Sequence, residues 1–415
     1  MVMYRLLIVN ESYVGGGAEV VFNDTIKALR TLEDKNIKIY TATTDNLDKE
    51  DHLTLDNSRN GLFSPIKYVF NFTNYKRFLN FLIHKKIDII HIHNFYSFIS
   101  PSILLAIKKY KKINEKAKVI QTLHDYSLIC PNSSLYNYGK DEICEKCVGK
   151  KNKLDILKNR CYFGKLSISL LKFVRTNIAL NILKHHEVID IFISPSEFLK
   201  KKLIEDGLIN PQKIKVVPNP LSDYFFEYTN SNTNSYQKIN QVVFLGRLSY
   251  EKGIHLLIRA WMEIERDVDN WHLLIIGDGD LRNYLKDLSK NTHSIKFIGK
   301  KQPNEVVNIL LQSKFLVLPS TCYENQPKVV LEAIACRCIP IVSSIGGMRE
   351  LADKFRTPVM FESGNIESLK AILKHLLKND FYEKTNFLFD YDINILKEEF
   401  SYDAYANKLR EIYFY

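Results

Sequence analysis

The chain has 415 residues, 46% hydrophobic and 25% charged, which is ordinary globular usage, gives no reason to invoke disorder and suits two domains better than one. A formal net charge of +11, from 58 Lys and Arg against 47 Asp and Glu, favours a phosphate-rich partner: an anionic membrane surface, a phosphorylated substrate or nucleic acid. No uncharged apolar stretch reaches the roughly eighteen residues of a membrane span, since the nearest candidate, 166–183, is interrupted by Lys172 and Arg175.

The opening run, residues 1–10, is too short for a secretory signal and lacks a small-residue cleavage site, so the expected setting is cytoplasmic, soluble or peripheral on the inner face of a membrane. Residues 4–9 read as a buried first strand. Gly15, Gly16 and Gly17 follow it and open a helical pattern over 18–32. Free backbone N–H groups and the helix dipole favour an anion at such a place, and a tight strand-to-helix turn asks for the same glycines. Further strands are expected at 37–40, 87–92, 118–123, 189–193 and 214–217, with a long helical pattern over 165–185. Short aliphatic runs alternating with amphipathic stretches describe a parallel sheet covered by helices.

Cys130, Cys144, Cys147 and Cys161 form a C-x13-C-x2-C-x13-C series, four of the seven cysteines in one insertion. Thiolates bind zinc tetrahedrally, so a structural zinc is one expectation for these four. Reduced thiols packed in a loop, an iron–sulfur cluster and a redox pair at Cys144 and Cys147 are the others.

Pro218 and Pro220, followed by the small polar run 229–235, mark a linker. The expected domains are 1–220 and 236–395, with a helical tail in 396–415 able to pack back on the first. Beyond the linker, strands are expected at 242–245, 272–276, 295–298, 315–318 and 339–343, a second doubly wound sheet. Arg247 and Lys252 lie in the Gly246–Gly253 turn after the first of these. Ligands of α/β sheets bind outside the carboxyl ends of strands, so two cations there suit a diphosphate; two exposed turn charges are the plainer reading. Asp278-Gly279-Asp280 reads as an ordinary strand-to-helix turn despite its likeness to a metal-binding acidic motif. Glu324 is expected in the loop after strand 315–318 and Glu332 inside the next helix, with Pro327 at its first position. Such carboxylates accept hydrogen bonds from vicinal hydroxyls, which suits a ligand with a ribose at one end and a sugar at the other; glutamates on a surface helix need no ligand.

Together these segments resemble the two-lobed retaining glycosyltransferases called GT-B, in the group numbered family 4. The resemblance spans nearly the whole chain and is strongest from Leu318-Pro319-Ser320 through Tyr323-Glu324, Leu331-Glu332-Ala333 and Pro340 to Gly346-Gly347 and Glu350. It implies two Rossmann-like domains facing across a cleft and a sugar moved, with retention, from a nucleotide-sugar donor to a glycan or lipid-linked acceptor. Cell-surface polysaccharide or lipopolysaccharide assembly is the implied setting. Glu332 would bind the donor ribose, Glu324 the transferred sugar, and Arg247 with Lys252 the diphosphate, faced by Gly16 and Gly17 of the other lobe. His124, in Thr122-Leu123-His124-Asp125-Tyr126, matches a family histidine that approaches the donor sugar; a lone His-Asp pair is otherwise more often structural. Cations and helix N-termini would stabilise the leaving diphosphate with no divalent ion. The chain departs from the pattern at Asn325-Gln326, where many members have glycine and an apolar residue, and at Arg337, where glycine is usual. A nucleotide-sugar epimerase or hydrolase, an inactive scaffold of the same fold and a zinc-stabilised nucleic-acid-binding protein are the alternatives; dispersed lysines and the lack of a recognised motif argue against nucleic acid.

Overall fold

The computed structural model describes residues 3–31, 36–61, 63–230 and 237–415. Continuous aliphatic runs become strands buried on both faces, which only a sheet covered on both sides tolerates. The strands of the first unit are β1 (Tyr4–Val9), β2 (Ile37–Thr43), β3 (His52–Thr54), β4 (Ile89–Ile92), β5 (Lys118–Thr122), β6 (Ile191–Ser194) and β7 (Ile214–Val216). They pair in parallel in the order β3-β2-β1-β4-β5-β6-β7. Chain direction across the sheet therefore reverses between β1 and β4, and the loops after those two strands flank that switch point.

The second unit repeats the plan with β8 (Ile239–Leu245), β9 (His272–Ile276), β10 (Ile295–Gly299), β11 (Ser313–Leu318), β12 (Ile339–Ser343) and β13 (Val359–Phe361), in the order β10-β9-β8-β11-β12-β13. Its switch point lies between β8 and β11. Its core holds Trp261, Phe244 and Phe315, all fully buried. Strands β3 and β13 at the sheet edges were not expected. Both have only three residues, and β3 is half-buried throughout, so neither shows the long apolar run that marks the others.

The first unit comprises 1–140, 144–220 and 402–415, the second 141–143 and 221–401. The tail is two helices, Leu388–Phe400 and Tyr402–Phe414, divided at Ser401. The second belongs to the first unit, where Tyr402, Tyr405, Leu409 and Tyr413 join the core around Leu6, Ile8 and Phe22. Its buried hydroxyls all find partners there. Tyr402 donates to Asp24 at 2.6 Å, Tyr405 lies 3.0 Å from Thr25 Oγ1, and Tyr413 lies 2.6 Å from His91 Nδ1.

The helical pattern expected at 165–185 is a helix Leu166–Asn177 that loosens into a π-helical turn, Ile178–Ile182. Thr229 and Asn230, expected in the linker, close a helix Asp223–Asn230, while linker residues 231–235 fall outside the described residues, as do Met1, Val2 and Leu32. No helix of the described residues is long and apolar enough to cross a membrane.

Candidate functional site

The switch point of the second unit brings together residues far apart in sequence. The turn after β8 carries Arg247 and Lys252, and the loop after β11 carries Ser320 and Glu324. Lys252 Nζ meets Glu324 Oε1 at 2.5 Å, and Ser320 Oγ donates to the same oxygen at 2.8 Å. Both charged side chains are largely buried, 21% and 15% exposed. Burial opposes the Lys252 charge, but the Glu324 carboxylate outweighs it and holds the ammonium well above its usual range. Burial likewise works to raise Glu324, and Lys252, Ser320 and the Arg247 guanidinium together hold it below its ordinary value. Both groups are thus kept ionised at neutral pH.

Two glycines let backbone close around this pair. Gly253 has φ +66°, and a Cβ there would lie 1.8 Å from the Pro319 carbonyl oxygen, so the β8 turn packs directly on the β11 loop. A Cβ on Gly347 would lie 1.7 Å from Asn325 O, and Gly347 N–H donates to Glu324 O at 2.7 Å. The Gly346–Lys354 helix therefore starts against the Glu324 loop. Glu332 sits half-buried in the second turn of the helix Lys328–Ala335. Pro327, expected as the first helical residue, is instead the N-cap, because its ψ of 108° is extended. Arg337, just past that helix, has φ +52°, the left-handed region in which glycine is at ease. Asp278 Oδ1 accepts the Gly279 N–H at 2.9 Å and Oδ2 reaches Arg282 at 3.4 Å, a closed strand-to-helix turn.

In the first unit, Gly16 and Gly17 are exposed at the start of the helix Gly17–Thr31. The Glu19 carboxylate reaches back to accept the Gly16 N–H at 2.8 Å, so it occupies one of the donors expected for an anion. His124, half-buried past the end of β5, meets His93, just past β4: Nε2 and Nδ1 are 2.8 Å apart and the rings stack at 5.1 Å. Burial alone pushes His124 down to about 4, and burial with neighbouring histidines puts His93 well below its usual value. Both rings are neutral near pH 7, so one donates and the other accepts. His93 Nε2 is buried with no hydrogen-bond partner among the described residues. An empty lone pair costs less there than an unused N–H, which favours His93 Nδ1 as donor and His124 Nε2 as acceptor.

Glu11, directly past β1, went unnoticed in the sequence. It is buried, accepts backbone N–H groups of Ser97 and Phe98 (the latter at 2.8 Å), and is pushed up by burial to about 7. The signal was available: a carboxylate two residues past a buried strand end in a doubly wound sheet.

The four clustered cysteines are free thiols. Cys161 is raised first by its hydrogen bond to Cys144 and then by burial, while Cys147 donates to Lys153 O at 3.7 Å and is pushed up by burial to about 12. Among the described residues no three or more His, Cys, Asp or Glu side chains are grouped to hold a metal. The four thiols nevertheless lie near one another: Cys161 is hydrogen-bonded to Cys144, and Cys130 and Cys147 add to its upward shift. A buried ion pair also ties the segment down. Lys153 and Asp206 side chains are each 2% exposed, Lys153 Nζ also donates to Cys147 O at 3.1 Å, and Asp206 accepts the Gly149 N–H at 2.9 Å.

Residues 15–223 match the family model Glycosyltransferase Family 4, and residues 227–388 match Glycosyl transferases group 1. The chain belongs to this glycosyltransferase family. It is 33% identical over 175 residues to an uncharacterized glycosyltransferase of Methanocaldococcus jannaschii, covering 38% of this chain and 43% of that one. An uncharacterized protein from the cps region of Klebsiella pneumoniae is 24% identical over 291 residues, 68% of this chain and 64% of the other. The matches thus span 43% and 64% of these curated relatives. The glycosyltransferase also shares its fold with Anabaena HepE, solved in complex with UDP and glucose, at TM-score 0.66 and 15% identity over 99% of both chains. Its two parallel-sheet units are those of the GT-B fold.

Proposed function

We propose that this glycosyltransferase takes a sugar from a nucleotide-sugar donor and transfers it, with retained anomeric configuration and without a catalytic metal, to a glycan or lipid-linked acceptor. The observation that carries the reading is the Lys252–Glu324 pair at the switch point of the second unit, with the Arg247 charge beside it. A doubly wound sheet binds its ligand at that place, and here it offers fixed positive charge next to a carboxylate acceptor. Lys252 and Arg247 neutralise the donor diphosphate, Glu324 accepts hydrogen bonds from the sugar hydroxyls, and Glu332 from the ribose. The bond from the anomeric carbon to the diphosphate oxygen breaks and a bond to the acceptor oxygen forms. The acceptor hydroxyl passes its proton to the leaving diphosphate oxygen, which takes the electron pair of the broken bond, its charge held by the two cations. His124 serves the first, acceptor-binding unit as a neutral hydrogen-bonding group. A relative from a cps region and a neighbour solved with UDP and glucose support surface-polysaccharide assembly and a nucleotide-sugar donor.

The test is a thermal-shift screen against UDP-, GDP- and ADP-sugars with wild type and Lys252→Gln. One nucleotide sugar raises the melting temperature of wild type, and the variant loses most of that shift. No shift with any donor, or an equal shift in the variant, refutes the donor site. Product analysis with and without acceptor then separates transfer from epimerisation or hydrolysis.

A further inference from the structure

The helix Leu166–Asn177 holds two cations three residues apart, Lys172 and Arg175, that the reading above does not use. Arg175 is 2% exposed, yet no carboxylate among the described residues pairs with it directly. Its guanidinium lies between the Tyr68 and Tyr96 rings, 4.7 and 5.0 Å from their centroids. It donates to the Tyr68 hydroxyl, to Tyr96 O at 3.4 Å and to Pro131 O at 3.4 Å, and its Nε has no partner among the described residues. A buried cation with an unused donor is costly unless something anionic completes it. Lys172 Nζ lies 3.0 Å from Asn132 Oδ1 and 4.5 Å from the Tyr162 centroid. Burial first, and then the charge of Arg175, pulls it down to about 8. Arg59 stacks on Phe98, 4.4 Å from the centroid, next to the backbone that holds Glu11.

Three cations thus face two carboxylates, Glu11 and Asp125, and burial pushes both of those toward their neutral forms. Glu11 and Asp125 follow β1 and β5, at the carboxyl ends of the first sheet on either side of its switch strand β4. The excess positive charge stands where such a sheet takes its ligand.

We propose that Arg59, Lys172 and Arg175 form a second anion site, in the first unit, that binds the phosphoryl group of a phosphorylated acceptor. This rests on the reading of the first unit as the acceptor domain. Arg175 supplies planar donors to the phosphoryl oxygens, Lys172 a mobile point charge, and Arg59 the exposed rim.

The test titrates hexyl phosphate, inorganic phosphate and hexyl glucoside into the full chain by calorimetry, using wild type, Lys172→Gln, Arg59→Gln and Lys252→Gln. Lys172 is half-buried and glutamine keeps a donor toward Asn132, so that variant folds, as its melting curve will report. Hexyl phosphate is expected to bind wild type and Lys252→Gln alike and Lys172→Gln about tenfold more weakly, with a smaller loss in Arg59→Gln. Tighter binding of hexyl than of inorganic phosphate assigns the anion to a lipid; equal binding assigns it to a soluble phosphate. The inference is overturned by equal affinity in wild type, Lys172→Gln and Arg59→Gln, or by hexyl glucoside binding as tightly as hexyl phosphate. Loss of phosphate binding in Lys252→Gln alone overturns it too, while leaving the donor site intact. A nucleotide-sugar shift unchanged in Lys252→Gln, beside a weakened hexyl phosphate in Lys172→Gln, removes the donor reading and keeps this site.

Discussion

Replacing Glu11 by glutamine should remove a pH dependence of stability that the wild type carries. Burial raises this carboxyl from an ordinary 4.5 to about 7, so the folded chain holds its proton more tightly than the unfolded one. Between those values the unfolded state gives up its proton first and stability falls as pH rises; above about 7 the loss is complete. A shift of about 2.5 units at 1.36 kcal/mol each makes that loss about 3 kcal/mol. In Glu11→Gln the amide oxygen can still accept both N–H groups of Ser97 and Phe98, so at pH 5 the variant should match the wild type closely. Buried neutral His91, pulled by burial to about 3, and His124, pulled to about 4, act in the opposite direction, because unfolded histidines gain protons below about 6.5. They are common to both proteins and cancel. Urea unfolding of both at pH 5 and pH 8 gives the double difference, expected to be about 2.5 kcal/mol in favour of the variant at pH 8, because the unfolded carboxyl is already partly ionised at pH 5. Equal loss of stability in both proteins between those pH values would refute a raised Glu11.

Gly347→Ala places a Cβ where Asn325 O now lies, so the Glu324 loop must shift. We expect about 2 kcal/mol of destabilisation and roughly tenfold weaker donor binding, read by denaturation and calorimetry. Lys252→Gln leaves the 15%-exposed Glu324 carboxylate without its cation, costing about 2 kcal/mol of stability, and moves the carboxyl pKa upward, visible as a raised acidic limb in the pH–rate profile. Glu332→Ala should weaken donor binding, whereas Glu324→Ala should mainly lower turnover; unchanged affinity and turnover in both would remove these roles. Tyr413→Phe strips the partner from His91 Nδ1 and should cost about 1 kcal/mol in unfolding without altering donor affinity.

Strands buried on both faces were legible because their sequence is nearly unbroken aliphatic, as in Leu6–Val9 or Leu316–Leu318. The edge strands β3 and β13 were not, because their largely half-buried residues carry no such run. The Lys252–Glu324 contact spans 72 residues, and only the sheet order, with β8 beside β11, brings it about. Two pieces of that site were visible separately, each as a polar turn after a strand. His93 and Glu11 lie one and two residues past the ends of β4 and β1, and nothing in the local pattern says that those two strands become neighbours. The cysteine cluster was legible from its spacing, whereas the Lys153–Asp206 pair that also secures the segment spans 53 residues and leaves no local signature.

The helix Tyr402–Phe414 belongs to the first unit, but the ribosome makes it only after all of residues 221–401. The second unit, apart from 141–143, is a continuous stretch and can mature as it emerges. The first unit, although begun earlier, must wait with the apolar surface around Leu6, Ile8 and Phe22 uncovered until Tyr405, Leu409 and Tyr413 arrive. A message or protein cut short before residue 402 would therefore damage the half of the molecule that is translated first.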